Sequence, residues 1–134
     1  MGEPRRGAFA LGRQERLGAA EVQGLFRGRA GREESRSFVA LWRVREGAGK
    51  VGFAVGRRIG GAVARNRGRR RLREAYRRRR GAQPTGVDIV FVGRPAVLTR
   101  SFSDLLEEMH RVIQAVARAA TGAARVRADD KSGA

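Results

Sequence analysis

The sequence predicts one small domain that mixes a few β-strands with three helices, and three observations carry that expectation. The chain has 134 residues, 41% of them hydrophobic and 32% charged, which suits a single core inside a highly charged surface. Three short runs, at residues 37–44, 50–56 and 87–93, are apolar and rich in β-formers. Three other segments, 19–27, 62–79 and 103–120, place their apolar residues at helical spacing.

Residues 1–15 carry Gly, Pro and mixed charge without sustained periodicity and are expected to form a flexible basic arm ahead of a domain at 16–120. Val22, Leu25 and Phe26 fall at i, i+3, i+4, a short helix that Gly28 would end. The polar stretch 28–35 reads as a loop. SFVALWRV (37–44) and KVGFAVG (50–56) read as two strands, and the glycines of REGAG between them suit a hairpin turn. On the first strand Phe38, Ala40 and Trp42 share one face and Val39 and Leu41 the other, both apolar enough to be covered.

Gly60 and Gly61 interrupt the pattern before a helix over 62–79. At 100° per residue, Ala64, Gly68, Leu72, Ala75 and Tyr76 line up as a narrow apolar stripe, and arginines take most other positions. Gly68 costs that helix about 1 kcal/mol relative to Ala, which a close approach to a strand would justify. VDIVFVG (87–93) is a buried strand. The last helix has the cleanest spacing: Phe102, Leu105, Leu106, Met109, Val112, Ile113, Val116 and Ala120, with Ser101 or Ser103 as its cap. The remainder, 121–134, lacks apolar content and is expected to be disordered.

Charge is distributed unevenly. Residues 57–80 hold twelve arginines and one acid, Glu74, so this stretch alone carries +11 of the chain's +17. Side chains so crowded repel one another unless a polyanion neutralises them, and RNA is the expected partner. There is no cysteine, hence no disulfide and no thiolate metal site. No run of about 18 apolar residues and no signal-peptide core is visible, so a cytoplasmic protein without membrane contact is expected.

Catalytic side chains are not evident. The single histidine, His110, falls on the polar face of the last helix beside Glu107, Arg111 and Gln114. Asp104, Glu107 and Glu108 gather near the start of that helix, where they complement its dipole. Asp88 is an isolated acid in a strand. GRRIGG leads into a helix but does not match a phosphate-binding loop, although backbone N–H groups there, with Arg57 and Arg58, suit a phosphate.

The run VGFAVGRRIGGAVARNRGRRRLREAYRR, residues 51–78, resembles the signature of the bacterial ribonuclease P protein component, a G-x-A-V turn leading into an R-N-R-x-[KR]-R-x-x-R-[EQ] helix. Arg57, Arg58, Gly60, Ala62, Val63, Arg65, Asn66, Arg67, Arg69, Arg70, Arg73 and Glu74 carry the match. Arg16-Leu17, EVQGLF, SFVAL and VDIVFVGRPA extend it over roughly residues 13–118. The resemblance implies an α+β two-layer sandwich in the order α-β-β-β-α-β-α, with a four-stranded sheet and a left-handed βαβ crossover carrying the arginine helix. It also implies that the catalyst is a large RNA, which removes the 5′ leader of precursor tRNA with Mg²⁺, and that this chain binds both RNAs without an obligate protein partner.

On that basis Arg57, Arg58, Arg65, Asn66, Arg67, Arg69, Arg70 and Arg73 are expected to contact the catalytic RNA, and Val22, Phe26, Phe38 and Leu41 to line a cleft for the leader. Family members usually have aromatics at the positions of Val22 and Leu41, Asn at Gly61, an aliphatic at Gly68 and Leu at Arg71. Two other readings compete on composition alone: a ribosomal or chaperone-type RNA-binding protein, and a protein-only nuclease. The Asn66 motif and segment order argue against the first, and the lack of clustered acids against the second.

Overall fold

The computed structural model describes residue 24, residues 31–79 and residues 86–132, with the side chains of the last helix described as far as residue 122. Strands β1 (Gly31–Glu34), β2 (Phe38–Val44) and β3 (Val51–Val55) precede the arginine helix α1 (Ala62–Arg79); β4 (Val87–Gly93) and the long helix α2 (Phe102–Ser132) follow. Short 3-10 turns at Arg57–Ile59 and Pro95–Leu98 lead out of β3 and β4. The sheet order is β1-β2-β4-β3. An α+β fold with a four-stranded mixed sheet results.

The sheet order corrects the expected hairpin. β2 and β3 are not neighbours: β4 lies between them, antiparallel to β2 from Phe38↔Gly93 to Val44↔Val87 and parallel to β3 from Val51↔Ile89 to Val55↔Gly93. VDIVFV, apolar on both faces, takes the centre because a central strand is paired on both edges and covered on both sides. The segment after β2 therefore crosses the end of β4 before turning back into β3. Gly49 passes directly against Val87, where a Cβ would overlap the backbone. Arg45 N–H donates to the Gly86 carbonyl at 2.8 Å, and Ile89 N–H to the Lys50 carbonyl at 3.0 Å.

Two further expectations change. Residues 31–34, read as loop, form edge strand β1 against β2, from Gly31↔Trp42 to Glu34↔Val39. Its sequence GREE alternates half-buried and exposed positions and carries charge, the composition that protects an edge from further pairing. The last helix does not stop near residue 120 but continues to Ser132. Arg and Ala dominate residues 117–128, and both favour helix without needing a core to pack on. The predicted helix at 19–27 and the N-terminal arm lie outside the described residues, except for Gly24, which is helical.

Both helices pack on one face of the sheet. Phe38, Ala40 and Trp42 of β2, Ile89 and Phe91 of β4 and Val51 of β3 meet Leu72, Ala75 and Tyr76 of α1 and Leu105, Met109, Ile113 and Val116 of α2. Fully burying a side chain such as Leu72 or Ile113 stabilises the fold by about 2 kcal/mol. Phe91 is the hub of the aromatic packing: Phe38 meets it edge-on at 5.6 Å, Phe53 stacks on it at 5.8 Å and Tyr76 tilts against it at 5.6 Å. The buried residues of α1 are Gly68, Leu72, Ala75 and Tyr76, the predicted stripe apart from half-buried Ala64. At Gly68 a Cβ would lie 3.2 Å from Val97 and 3.3 Å from Val55, so the missing side chain lets the helix settle closely onto the sheet.

Two buried carboxylates hold the fold together, Glu108 joining a helix to the sheet and Asp88 joining strands within it. Glu108 of α2 accepts from the Ser37 N–H at 2.9 Å and the Ser37 hydroxyl at 3.0 Å, at the start of β2, and from Arg100 Nε at 2.9 Å. Burial pushes its carboxyl up, but the hydrogen bonds from Ser37, Arg100 and Ser35 outweigh that and hold it below the ordinary carboxylate value. Asp88, fully buried, accepts from Arg43 Nε at 3.1 Å, Arg45 Nη1 at 3.0 Å and the Lys50 N–H at 2.9 Å. It joins β2, β4 and the chain entering β3. Of the two candidate caps of α2 it is Ser101 that serves, its hydroxyl accepting from the Asp104 N–H at 3.1 Å.

Candidate nucleic-acid interface

An 18-residue helix that docks through four buried residues leaves most of its circumference outward, and here that surface is arginine. Asn66, Arg67 and Arg70 are exposed, Arg65, Arg69 and Arg73 half-buried on its flanks, and Arg57 and Arg58 exposed on the 3-10 turn just before it. Arg65 Nη1 donates to the Gly60 carbonyl at 2.9 Å, which ties that turn to the first turns of the helix. Arg69 Nη1 donates to Asn66 Oδ1 at 3.0 Å, so the remaining hydrogen-bonding capacity of the Asn66 amide is chiefly its N–H donors. Arg73 lies over the Phe53 ring at 5.9 Å from its centroid. All eight residues expected to contact RNA thus belong to one continuous turn and helix.

The remaining arginines of α1 are engaged differently. Arg71 reaches inward: its Nε donates to the Val97 carbonyl at 2.8 Å, its Nη2 donates to the Arg100 carbonyl, and its guanidinium lies 5.9 Å from the Phe102 ring. Arg77 and Arg78 pair with Glu74 at 3.0 and 3.5 Å. The helix has no acid in its first turn, so its positive dipole end adds to the charge of Arg57, Arg58, Arg65 and Arg67. Sequence reading missed the inward role of Arg71, and the only signal was its deviation from the leucine usual in similar chains.

The expected leader cleft is not assembled as proposed. Val22 and Phe26 lie outside the described residues. Phe38 is fully buried under the helices, whereas Leu41 is half-buried on the opposite face of the sheet. Alternation along β2 separates them, so Phe38 is a core residue and the two share no surface. Trp42 stands on the Phe38 side, as strand geometry predicts. On the Leu41 side the structure places Val39, Arg43, Asp88 and Val90; Arg43 and Arg45, with side chains 41% and 31% exposed, are held by Asp88. Helical Gly24 sits over this face, its Cβ position 3.6 Å from Arg43 Nη1.

Four of the described carboxylates are engaged by cations or N–H donors. Asp88 and Glu108 are enclosed by cationic and N–H donors, Glu74 by Arg77 and Arg78, and Glu34 by Arg32 and Arg94. Glu34 is held below its ordinary value by hydrogen bonds from Arg32 and Arg94. Among the described residues no three His, Asp or Glu side chains converge.

The family model for Ribonuclease P matches residues 11–117. The chain belongs to the ribonuclease P protein family. The ribonuclease P protein component of Gluconacetobacter diazotrophicus is 41% identical over 76 residues, covering 56% of this chain and 66% of that protein. That of Chloroflexus aurantiacus is 38% identical over 90 residues, covering 62% and 67%. Aligned stretches thus span about two thirds of these relatives' lengths. The ribonuclease P protein of Thermotoga maritima superposes with a TM-score of 0.66 at 27% identity, over 75% of this chain and 96% of that one. A Staphylococcus aureus counterpart shares the fold, with a TM-score of 0.64 at 19% identity over 76% and 94%. Family membership accounts for the parallel β3–β4 pair, whose connection is the arginine helix itself.

Proposed function

We propose that this chain works as the protein subunit of ribonuclease P in the cytoplasm. It binds a large catalytic RNA through Arg57, Arg58 and the outward face of α1, and holds the 5′ leader of precursor tRNA while that RNA hydrolyses the phosphodiester at the mature 5′ end. The observation that carries this reading is the Arg65-Asn66-Arg67 step on an ordered helix, in a chain of this family. Guanidinium groups so arranged give bidentate, sequence-independent contacts to phosphates. Mg²⁺ is assigned to the RNA and the substrate, in keeping with Glu34, Glu74, Asp88 and Glu108 of this chain being engaged by arginines and N–H donors. For the leader, the supporting surface is the second face of the sheet, where Leu41 and the arginines oriented by Asp88 stand together.

The test is reconstitution. Purified protein alone should leave precursor tRNA intact. Adding a bacterial ribonuclease P RNA and Mg²⁺, under conditions where the RNA by itself is slow, should give accurate 5′ cleavage. Cleavage by the RNA-free protein, or failure to stimulate the RNA, refutes the proposal.

A further inference from the structure

Among the described residues one large apolar side chain is left in solvent: Val63, 83% exposed, in the first turn of α1. Nothing about the helix asks for it. Valine is a β-branched, mediocre helix former, and a position opposite the buried stripe gains nothing from burial within the chain. Its neighbours on the helix surface are Asn66, Arg67 and Arg70, at i+3, i+4 and i+7, all exposed. An aliphatic side chain has no attraction for a phosphate, so within a phosphate-binding face it is out of place unless it meets something apolar.

We infer that Val63 packs on the base of an unstacked nucleotide in the RNA partner, making this end of the helix a reader of unpaired structure. The inference rests on the RNA-binding role proposed above and specifies which element of the RNA is held. A continuous A-form duplex hides its base faces in the stack and offers phosphates and ribose hydroxyls. An unpaired nucleotide exposes an apolar base face flanked by two phosphates, and the surface here has the matching order. Val63 covers the base, the Asn66 amide, whose oxygen is engaged by Arg69, donates to an acceptor on the base or ribose, and Arg67 and Arg70 take the flanking phosphates. A second copy of the chain is a poor occupant, since both surfaces would be strongly cationic.

The test compares binding of wild type, Val63→Thr and Val63→Ala to ribonuclease P RNA and to a perfect RNA duplex, each across a salt series. Thr keeps the shape and β-branching of Val but replaces one methyl with a hydroxyl. Both variants should bind ribonuclease P RNA more weakly, Val63→Thr about fourfold and Val63→Ala about fifteenfold, the loss of one and of two buried methyl groups. Their salt slope should be unchanged, as should their affinity for the duplex. Base-reactivity probing should show a nucleotide protected by wild type and released by both variants. Because Ala favours helix more than Val, a shared loss is not explained by unfolding. Unchanged affinity for ribonuclease P RNA, or an equal loss on the duplex, overturns the Val63 inference while leaving the RNA-binding role standing. Wild-type protein that fails to bind ribonuclease P RNA, or binds it without salt dependence, overturns both.

Discussion

Replacing Arg67 and Arg70 together by Ala, and separately replacing Arg71 by Ala, distinguishes charge that meets RNA from charge that holds the fold. Arg67 and Arg70 point outward from α1, whereas Arg71 donates to the Val97 and Arg100 carbonyls. Each phosphate contact contributes about −0.7 to −0.9 to the slope of log affinity against log salt. Losing two contacts flattens that slope by about 1.5, so over a fourfold rise in salt wild type should lose about eightfold more affinity than the double variant. Arg71→Ala removes one charge as well, but should leave the slope as it is and lower unfolding stability by about 2 kcal/mol, because two carbonyls lose their donor. Filter binding of ribonuclease P RNA across a salt series, paired with urea unfolding of the free protein, measures both quantities. If Arg71→Ala flattens the slope as much per charge as the double variant, or the double variant keeps the wild-type slope, the assignment of these side chains is wrong.

Acid should loosen the contact between α2 and the start of β2. The Glu108 carboxyl is held below its ordinary value of 4.5 in the folded state, so its contribution is complete above that value and is lost as pH falls through the lower, folded one. Urea midpoints should therefore drop below about pH 4.5 in wild type, and Glu108→Gln should be less stable at neutral pH and less sensitive to that acidification; an identical acid response in the variant refutes the assignment. Gly68→Leu should destabilise by about 1–3 kcal/mol, measured by thermal unfolding, because the added side chain meets Val97 and Val55 where even a Cβ is tight. Stability equal to wild type would mean that the helix is free to lift from the sheet.

Period and spacing made the helices legible. The α2 apolar series from Leu105 to Ala120 and the α1 stripe of Gly68, Leu72, Ala75 and Tyr76 are buried as the 3.6-residue repeat requires. Strand partners were another matter. Alternation reports which face a residue takes, and it separated Phe38 from Leu41, but it holds no information about neighbours, so β4 between β2 and β3 was invisible in REGAG. Edge strand β1 escaped because Gly31, Arg32, Glu33 and Glu34 bury no apolar side chain. For the interface, arginine density located the helix, yet composition alone does not separate Arg71 from Arg70. Only the geometry of the Val97 and Arg100 carbonyls does that.

The position of β4 in the sheet sets when the earlier strands can find their partners. A nascent chain that has not yet reached Gly93 holds β2 with one edge open and β3 with no strand to pair with, and the arginine helix is complete before the sheet that receives it exists. Local pairing cannot rescue the early strands, because their shared partner comes last and is separated from β3 by the whole helix. The amino-terminal two thirds of the domain therefore leaves the ribosome as a cationic segment with unpaired strand edges, and one seven-residue strand joins β2 to β3 at once.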